Sequence, residues 1–135
     1  MVSPIEAWLK EAAALGASDL HVVAWHKPTL RLNGQLVELP GSELTAEQLK
    51  RNLEAICDPK QLDQLRREKN VDFALVITTE TGDLRFRANL FVVGGQQFGG
   101  CFRVIPSSVP SFEWSGFPYE LADRLAHFRN GLVLI

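Results

Sequence analysis

The residues of this chain best suited to bind an anion are three arginines in two strand-like segments. Arg85 and Arg87 alternate with apolar residues in the segment 84–92, and Arg103 lies in the segment 100–105. Every second side chain of a strand lies on the same face, so Arg85 and Arg87 share one, and Arg103 joins them if the strands are neighbours. Guanidinium groups keep their charge and match carboxylate or phosphate oxygens. The pattern predicts an anion site; the alternative is surface arginines paired with nearby acids.

Other kinds of catalytic or metal site find little support in the sequence. His21, His26 and His127 are scattered, with no Cys or carboxylate at metal-ligand spacing, so no metal site is predicted. Ser18 and Asp19 stand beside His21, but neighbouring side chains diverge, and we interpret Ser18 and Asp19 as turn and capping residues. Neither G-x-x-x-x-G-K-[ST] nor G-x-G-x-x-G occurs.

Length and composition are typical of one globular domain. The chain has 135 residues, of which 46% are hydrophobic and 22% charged, with a net charge of −2. This balance argues against non-specific nucleic-acid binding. No apolar run approaches the ~18 residues of a membrane helix, and Glu6 and Glu11 interrupt the N-terminal segment where a signal peptide would be apolar. Cys57 and Cys101 are predicted to be buried free thiols of a reducing compartment.

Helix and turn signals frame the strands that would position the arginines. A first helix is predicted between Ser3, interpreted as its cap, and Gly16, interpreted as its stop. Asn33-Gly34 predicts a tight hairpin, because both turn positions favour positive φ. Two further helices are predicted to begin after Thr45 and Asp58. Glycine pairs at 94–95 and 99–100 are predicted to bracket a turn. Strands are predicted at 17–24, 29–32, 35–39, 71–77, 84–92 and 100–105.

The composition changes after residue 105. Residues 106–118 are rich in Pro, Ser and Gly, which predicts a linker. A short helix is predicted from Tyr119 to about Phe128, followed by an apolar strand at 132–135. An all-apolar strand is typical of the middle of a parallel sheet. The segment therefore resembles the first strand of a domain that has been cut off, and without its parallel neighbours we expect it to fray or to pair with the sheet edge of another molecule.

Six short motifs occur in the order in which they occur in the secretion ATPase superfamily, the hexameric motors of type IV pili and type II secretion. They are G-A-S-D-L-H at 16–21, L-R-L-N-G at 30–34, D-F at 72–73, R-F-R-A-N at 85–89, F-R-V-I-P at 102–106 and G-L-V-L-I at 131–135. Together they cover nearly the whole chain, which resembles the N-terminal part of these ATPases. In the family, the last motif directly precedes the Walker A loop. The first helix begins almost at Met1, which favours the retraction motors of twitching motility.

The resemblance implies an α+β fold: a PAS-like antiparallel sheet flanked by helices at 1–105, a linker at 106–118, and the first helix and strand of a truncated RecA-like motor domain at 119–135. It also implies a homohexameric ring in which this domain packs on the neighbouring motor domain. Arg85, Arg87 and Arg103 would approach the neighbour's ATP in trans. Ala74, Ala88 and the turn at 93–100 depart from the family's usual residues.

The resemblance further implies that ATP and Mg²⁺ belong to the full-length parent. Walker A, Walker B and the catalytic Glu are absent, so this chain alone is expected to lack both a cofactor and ATPase activity. The expected partners are neighbouring subunits and an inner-membrane pilus or secretion platform protein, at the cytoplasmic side of the inner membrane, without membrane insertion. The alternatives are a type II secretion or pilus assembly ATPase, and a stand-alone PAS-like module that binds a ligand or a protein.

Overall fold

The structure of the protein is a computed structural model, which describes residues 4–95 and 97–134. Its helices are α1 (Pro4–Ala14), α2 (Ala46–Glu54), α3 (Pro59–Glu68), α4 (Phe112–Ser115) and α5 (Tyr119–Ala126). Its strands are β1 (Asp19–Val23), β2 (Thr29–Leu32), β3 (Gln35–Glu38), β4 (Asn70–Thr79), β5 (Gly82–Val93) and β6 (Gln97–Ile105). The predicted α+β class is confirmed.

The strands form one antiparallel sheet in the order β3-β2-β1-β6-β5-β4. Two antiparallel halves, β1–β3 and β4–β6, meet where β1 pairs with β6 in the centre. Consecutive strands within each half are neighbours, which is the usual arrangement when connections are short. The strand that carries Arg103 therefore lies between β1 and the strand that carries Arg85 and Arg87.

Helices α1, α2 and α3 cover one face of the sheet, here called the inner face. Along β5 the predicted alternation is confirmed: Phe86, Ala88 and Leu90 are fully buried, whereas Arg85 and Arg87 are exposed. The hydrophobic effect fixes this orientation, because a one-residue slip would move every buried side chain of β5 into water. The opposite face, here called the outer face, therefore presents the polar side chains of the central strands.

Local signals position the elements as predicted. Asn33 and Gly34 have φ values of 48° and 82° at the hairpin between β2 and β3, as expected of its turn type. Thr45 and Asp58 each form a complete capping box, with Gln48 and Gln61 respectively. These boxes satisfy backbone N–H groups that the first turns of α2 and α3 leave unpaired. The predicted cap Ser3 lies outside the described residues.

β6 begins at Gln97, before the predicted strand start at Gly100, so Gly99 lies within the strand and does not border a turn as predicted. Gly99 pairs directly with Phe91 on β5. A Cβ atom added at Gly99 would clash with Cε2 of the Phe91 ring. Gly99 thus lets the aromatic ring lie against the backbone of the neighbouring strand, and any side chain at this position would force the ring to move.

Replacing Gly99 with alanine is expected to lower the free energy of unfolding by about 1–3 kcal/mol, the usual cost of overpacking. The double variant G99A/F91L should recover part of this loss, because the smaller side chain vacates the space that the new methyl group needs. Urea denaturation of the wild type, G99A, F91L and the double variant measures both effects. Additive losses in the double variant would show that the Phe91 ring is not what requires glycine here.

The segment after β6 differs from its prediction in one respect, the additional helix α4, whereas the segment 131–134 is unpaired as expected. The short helix α4 was not predicted; Ser111 caps it by accepting a hydrogen bond from the N–H of Trp114. Within the described residues 131–134 no strand forms, and Leu132 and Leu134 are more than 80% exposed. A strand needs a hydrogen-bonding neighbour, which this segment lacks here. Helix α5 is confirmed and ends at Ala126, two residues before the predicted end.

Candidate functional site

Four charged side chains form a row across the outer face, here called the arginine row. Asp19 on β1 pairs in register with Arg31 on β2 and with Arg103 on β6. Arg103 in turn pairs with Arg87 on β5. The conditional prediction that Arg103 joins Arg87 on one sheet face is therefore confirmed. Arg85 lies on the same face, two residues along β5 from Arg87.

The carboxylate of Asp19 is buried between two arginines. Nε of Arg103 donates to Oδ1 of Asp19 at 3.0 Å, and the hydroxyl of Ser18 donates to Oδ2 at 2.8 Å. Nε of Arg31 lies 3.6 Å from Oδ2. The Asp19 side chain is only 6% exposed, whereas that of Arg103 is 71% exposed. A single buried carboxylate therefore holds one edge of a largely exposed guanidinium group.

Arg87 and Arg85 differ in how they are held. Arg87 donates from Nε and Nη2 to the two carboxylate oxygens of Asp72, at 3.0 and 3.3 Å. Arg85 makes no hydrogen bond or ion pair with any described residue and is exposed. The interpretation of surface arginines paired with nearby acids thus describes Arg87 and Arg103, but not Arg85. Since neither acid occupies all the donors of its arginine, these pairs do not exclude a further anion.

The arrangement concentrates positive charge. Within the arginine row three arginines, Arg31, Arg87 and Arg103, stand against one aspartate, although the whole chain carries a net charge of −2. Arg87 and Arg103 are direct cross-strand partners, and like charges placed directly opposite each other are destabilising. Sequences tend to violate such local rules at functional sites. Arginine binds phosphate oxygens through its planar fork, so a phosphate group is the kind of anion that these two guanidinium groups would bind.

Asp19 and Arg31 are functional candidates that the sequence analysis missed. Asp19 was interpreted as a turn or capping residue, but it begins β1 and its carboxylate pairs across the sheet. The signal was present: Asp19 and His21 are two residues apart, so both lie on the polar face of β1. What the sequence did not reveal was that β6 pairs with β1.

Opposing effects set the pKa of Asp19. Burial raises it, but the hydrogen bonds from Ser18 and Arg103 and the charge of Arg103 outweigh burial, so the pKa lies below the ordinary value of 3.8. A carboxylate with a lowered pKa in the folded state stabilises the fold above its unfolded-state pKa. That contribution is lost as the pH falls through the lowered folded value.

Asp19→Asn should therefore reduce the loss of stability on acidification. We expect the free energy of unfolding to fall less between pH 7 and pH 3 in D19N than in the wild type. Urea denaturation at a series of pH values measures this difference. D63N is a matched control, because Asp63 belongs to an exposed ion pair with Arg67 on α3, and exposed pairs contribute little. If D19N lost as much stability as the wild type over this pH range, the pKa of Asp19 would not be lowered in the folded protein.

An open cleft of about 350 Å³ adjoins the arginine row beside β1, β2 and β3. The cleft is lined by both apolar and polar side chains: His21, Val23, His26, Lys27, Thr29, Arg31, Leu36 and Glu38. Lys27 and Glu38 form an ion pair of 3.5 Å in its wall. Nε2 of His21 is buried without a hydrogen-bond partner among the described residues. Arg31 connects the cleft to the arginine row.

The described residues supply no second kind of site. They contain no group of three or more His, Cys, Asp or Glu side chains that could hold a metal ion. Both cysteines are free thiols, but half-buried and not buried as predicted. Burial, with the charges of Asp58 and Glu54, raises the pKa of Cys57 to about 11, and burial raises that of Cys101. Both thiols are thus poor nucleophiles at neutral pH.

The donor set fits phosphate oxygens but not a complete nucleotide site. Guanidinium groups bind phosphate, yet the sequence has no phosphate-binding loop and the described residues have no Mg²⁺ ligand cluster. None of the described helices combines the length and the apolar character needed to cross a bilayer.

Known proteins resemble this chain over most of its length. The type IV pilus retraction ATPase PilT of Pseudomonas aeruginosa is 32% identical over 124 residues, which cover 92% of this chain and 35% of PilT. The type IV pilus ATPase PilU of the same organism is 26% identical over 119 residues, which cover 88% of this chain and 30% of PilU. The chain thus spans about a third of the length of these relatives. No family model matches it.

Solved structures share the fold. The crystal structure of the pilus retraction motor PilT with bound ADP matches with a TM-score of 0.73 at 29% identity, covering 91% of this chain and 35% of that one. The ATPase DotB of Legionella pneumophila matches with a TM-score of 0.72 at 20% identity, covering 91% and 35% of the two chains. DotB of Yersinia pseudotuberculosis matches with a TM-score of 0.74 at 19% identity, covering 90% of this chain and 34% of that one. The DotB matches support the fold alone.

Proposed function

We propose, from the premise that this chain is related to the N-terminal region of the type II/IV secretion-superfamily ATPases, that it is the N-terminal regulatory and oligomerisation domain of a pilus retraction ATPase. The identity to PilT over 92% of the chain supports this proposal. The retraction motor is preferred because both curated relatives are type IV pilus ATPases and one is a retraction ATPase. ATP hydrolysis would belong to the full-length protein.

The role proposed for this domain is to supply arginines to the ATP bound by the neighbouring subunit of a homohexameric ring. One observation carries it: Arg85, Arg87 and Arg103 lie together on the outer face, which α1 to α3 leave open. An arginine delivered in trans stabilises charge on a transferring phosphoryl group. The neighbour's motor domain would hold ATP and Mg²⁺, and these arginines would contact the phosphates.

A head-to-tail ring suits this division of labour. In a heterologous interface one surface meets a different surface on the next subunit, so a ring that closes can repeat the contact at every interface. The exposed outer face would be the donor surface of each subunit. The proposed setting is the cytoplasmic side of the inner membrane, where the motor would act on a membrane platform protein.

The proposal makes a direct prediction for this chain alone. Titration with Mg²⁺-ATP in a calorimeter should show binding no tighter than millimolar, because arginines without a phosphate-binding loop give only an open, solvated contact. R87A serves as the control, since any weak heat that comes from the outer face should diminish in it. Micromolar affinity that survives R87A would contradict the proposal and favour a stand-alone ligand-binding module.

A further inference from the structure

The function proposed above gives no role to the most deeply buried charge of the domain. Asp19 is 4% exposed and is the sole buried polar or charged residue among those that the structure describes. Burying a carboxylate is costly unless it is paired and hydrogen-bonded. Asp19 meets this condition through Ser18, Arg103 and Arg31. Its place at the centre of the arginine row suggests more than a structural role.

The contact between Asp19 and Arg103 leaves most of the guanidinium group available. Only Nε of Arg103 donates to Asp19, and neither Nη atom has a hydrogen-bond partner among the described residues. A long side chain that is 71% exposed would otherwise sample many rotamers. Anchoring Nε to a carboxylate on the rigid strand β1 removes much of that freedom before any ligand arrives.

We propose that Asp19 is a positioning residue, which holds Arg103 so that its free Nη groups bind a polyphosphate anion at the outer face. The inference rests on the proposed function, because it requires that phosphates bind there. Arg31 shares the same carboxylate, so two cations face one buried anion and the site keeps its positive charge. Asp19 therefore orders the arginine without neutralising the row.

Asp72 gives the contrast that makes this inference testable. Asp72 is partly exposed and occupies both Nε and Nη2 of Arg87, which is the edge that a phosphate would use. Asp72 therefore competes with an incoming anion, whereas Asp19 prepares for one. Removing either carboxylate removes one negative charge from the same face. If only the charge matters, removing either carboxylate should tighten anion binding. If Asp19 positions Arg103, removing Asp19 should weaken anion binding, whereas removing Asp72 should not.

The test is an NMR titration of the chain with inorganic triphosphate, which carries the phosphate chemistry without a base or a sugar. The variants are D19N, D72N, R87A, R103A and the double variant D19N/R103A, with D63N as a control for the loss of one charge at a remote ion pair. We expect D19N to weaken binding about twofold to tenfold, the cost of immobilising one flexible side chain. D72N should bind triphosphate as tightly as the wild type or more tightly, and the affinity of D63N for triphosphate should equal that of the wild type.

The double variant distinguishes positioning from a direct or a purely structural effect. If Asp19 acts through Arg103, D19N/R103A should bind no more weakly than R103A alone, because the effects of coupled residues are not additive. Unaltered or tighter triphosphate binding in D19N would overturn the inference. So would a result in which D19N weakens binding by the same factor in the R103A background as in the wild type. If R87A weakens binding while D19N does not, this inference alone fails. If the wild type binds no triphosphate, both it and the proposed phosphate role fail.

A measurement on the wild type keeps the inference testable even if D19N does not fold. The Nε–H proton of Arg103 is hydrogen-bonded to a buried carboxylate, whereas Arg85 has no partner among the described residues. In spectra of the arginine Nε–H groups, the Arg103 proton should exchange with water much more slowly than that of Arg85. Equal exchange would show that Asp19 does not hold Arg103, and would overturn the inference.

Discussion

Replacing Arg87 with alanine is expected to lower ATP turnover about 10³-fold in the full-length ATPase that we propose contains this chain. An arginine supplied in trans to a transferring phosphoryl group has an effect of this size, equivalent to about 4 kcal/mol of transition-state stabilisation. Folding should change little, because Arg87 is exposed and surface substitutions cost within about 0.5 kcal/mol. R87K should restore little activity, since lysine lacks the bidentate fork. Steady-state ATPase assays and urea denaturation measure the two effects.

Mixed rings test whether the arginine acts in trans. R87A subunits would be mixed with subunits that carry an inactivating change at the lysine of the phosphate-binding loop. Some interfaces then pair an intact motor domain with an intact neighbouring Arg87, and activity should reappear. K10A is a matched control for the loss of one cation, because Lys10 lies on α1, which packs on the inner face of the sheet. ATP turnover in K10A rings should stay close to that of the wild type. Mixed rings that form without recovered activity would exclude the trans role.

Replacing Phe86 with alanine is expected to lower the free energy of unfolding by about 3–5 kcal/mol, the usual range for a fully buried phenylalanine. Phe86 is 0% exposed at the inner face, on the same strand as Arg85 and Arg87. Its loss leaves a cavity beneath the arginines that helices α1 to α3 cannot fill without moving. Urea denaturation measures the change.

Val109 offers the matched control for this core substitution. Val109 is 94% exposed, so V109A also removes apolar atoms but should change the free energy of unfolding by less than about 0.5 kcal/mol. A cost below about 1 kcal/mol in F86A would show that the inner face is not tightly packed. The outer-face assignment would then lose its physical basis, because burial of Phe86 is what orients Arg85 and Arg87 outward.

The local features of the fold were predictable because backbone sterics and capping act over a few residues. Asn33 and Gly34 form their turn because they tolerate positive φ. Thr45 caps its helix because its hydroxyl accepts a hydrogen bond from a free backbone N–H. The alternation along β5 predicted which face carries Arg87, since burial decides that orientation in any half-covered sheet.

The predictions that failed depended on contacts between distant segments. Asp19 looked like a capping residue because it closely follows the turn at Gly16, and only the pairing of β1 with β6 reveals its partner Arg103. Gly99 looked like a turn residue because the Phe91 ring that lies against it belongs to another strand. Local pattern cannot supply these partners.

The central pairing of β1 with β6 has a consequence for how the domain is made. During synthesis the ribosome releases β1 long before β6, because Asp19 and Arg103 are 84 residues apart. Contacts this distant in sequence carry a large loop-closure cost and form late. Until β6 emerges, β1 and β5 are both open edges. The arginine row is thus complete only once the sheet has closed, so in the ring proposed above a half-folded subunit would offer its neighbour no finished donor surface.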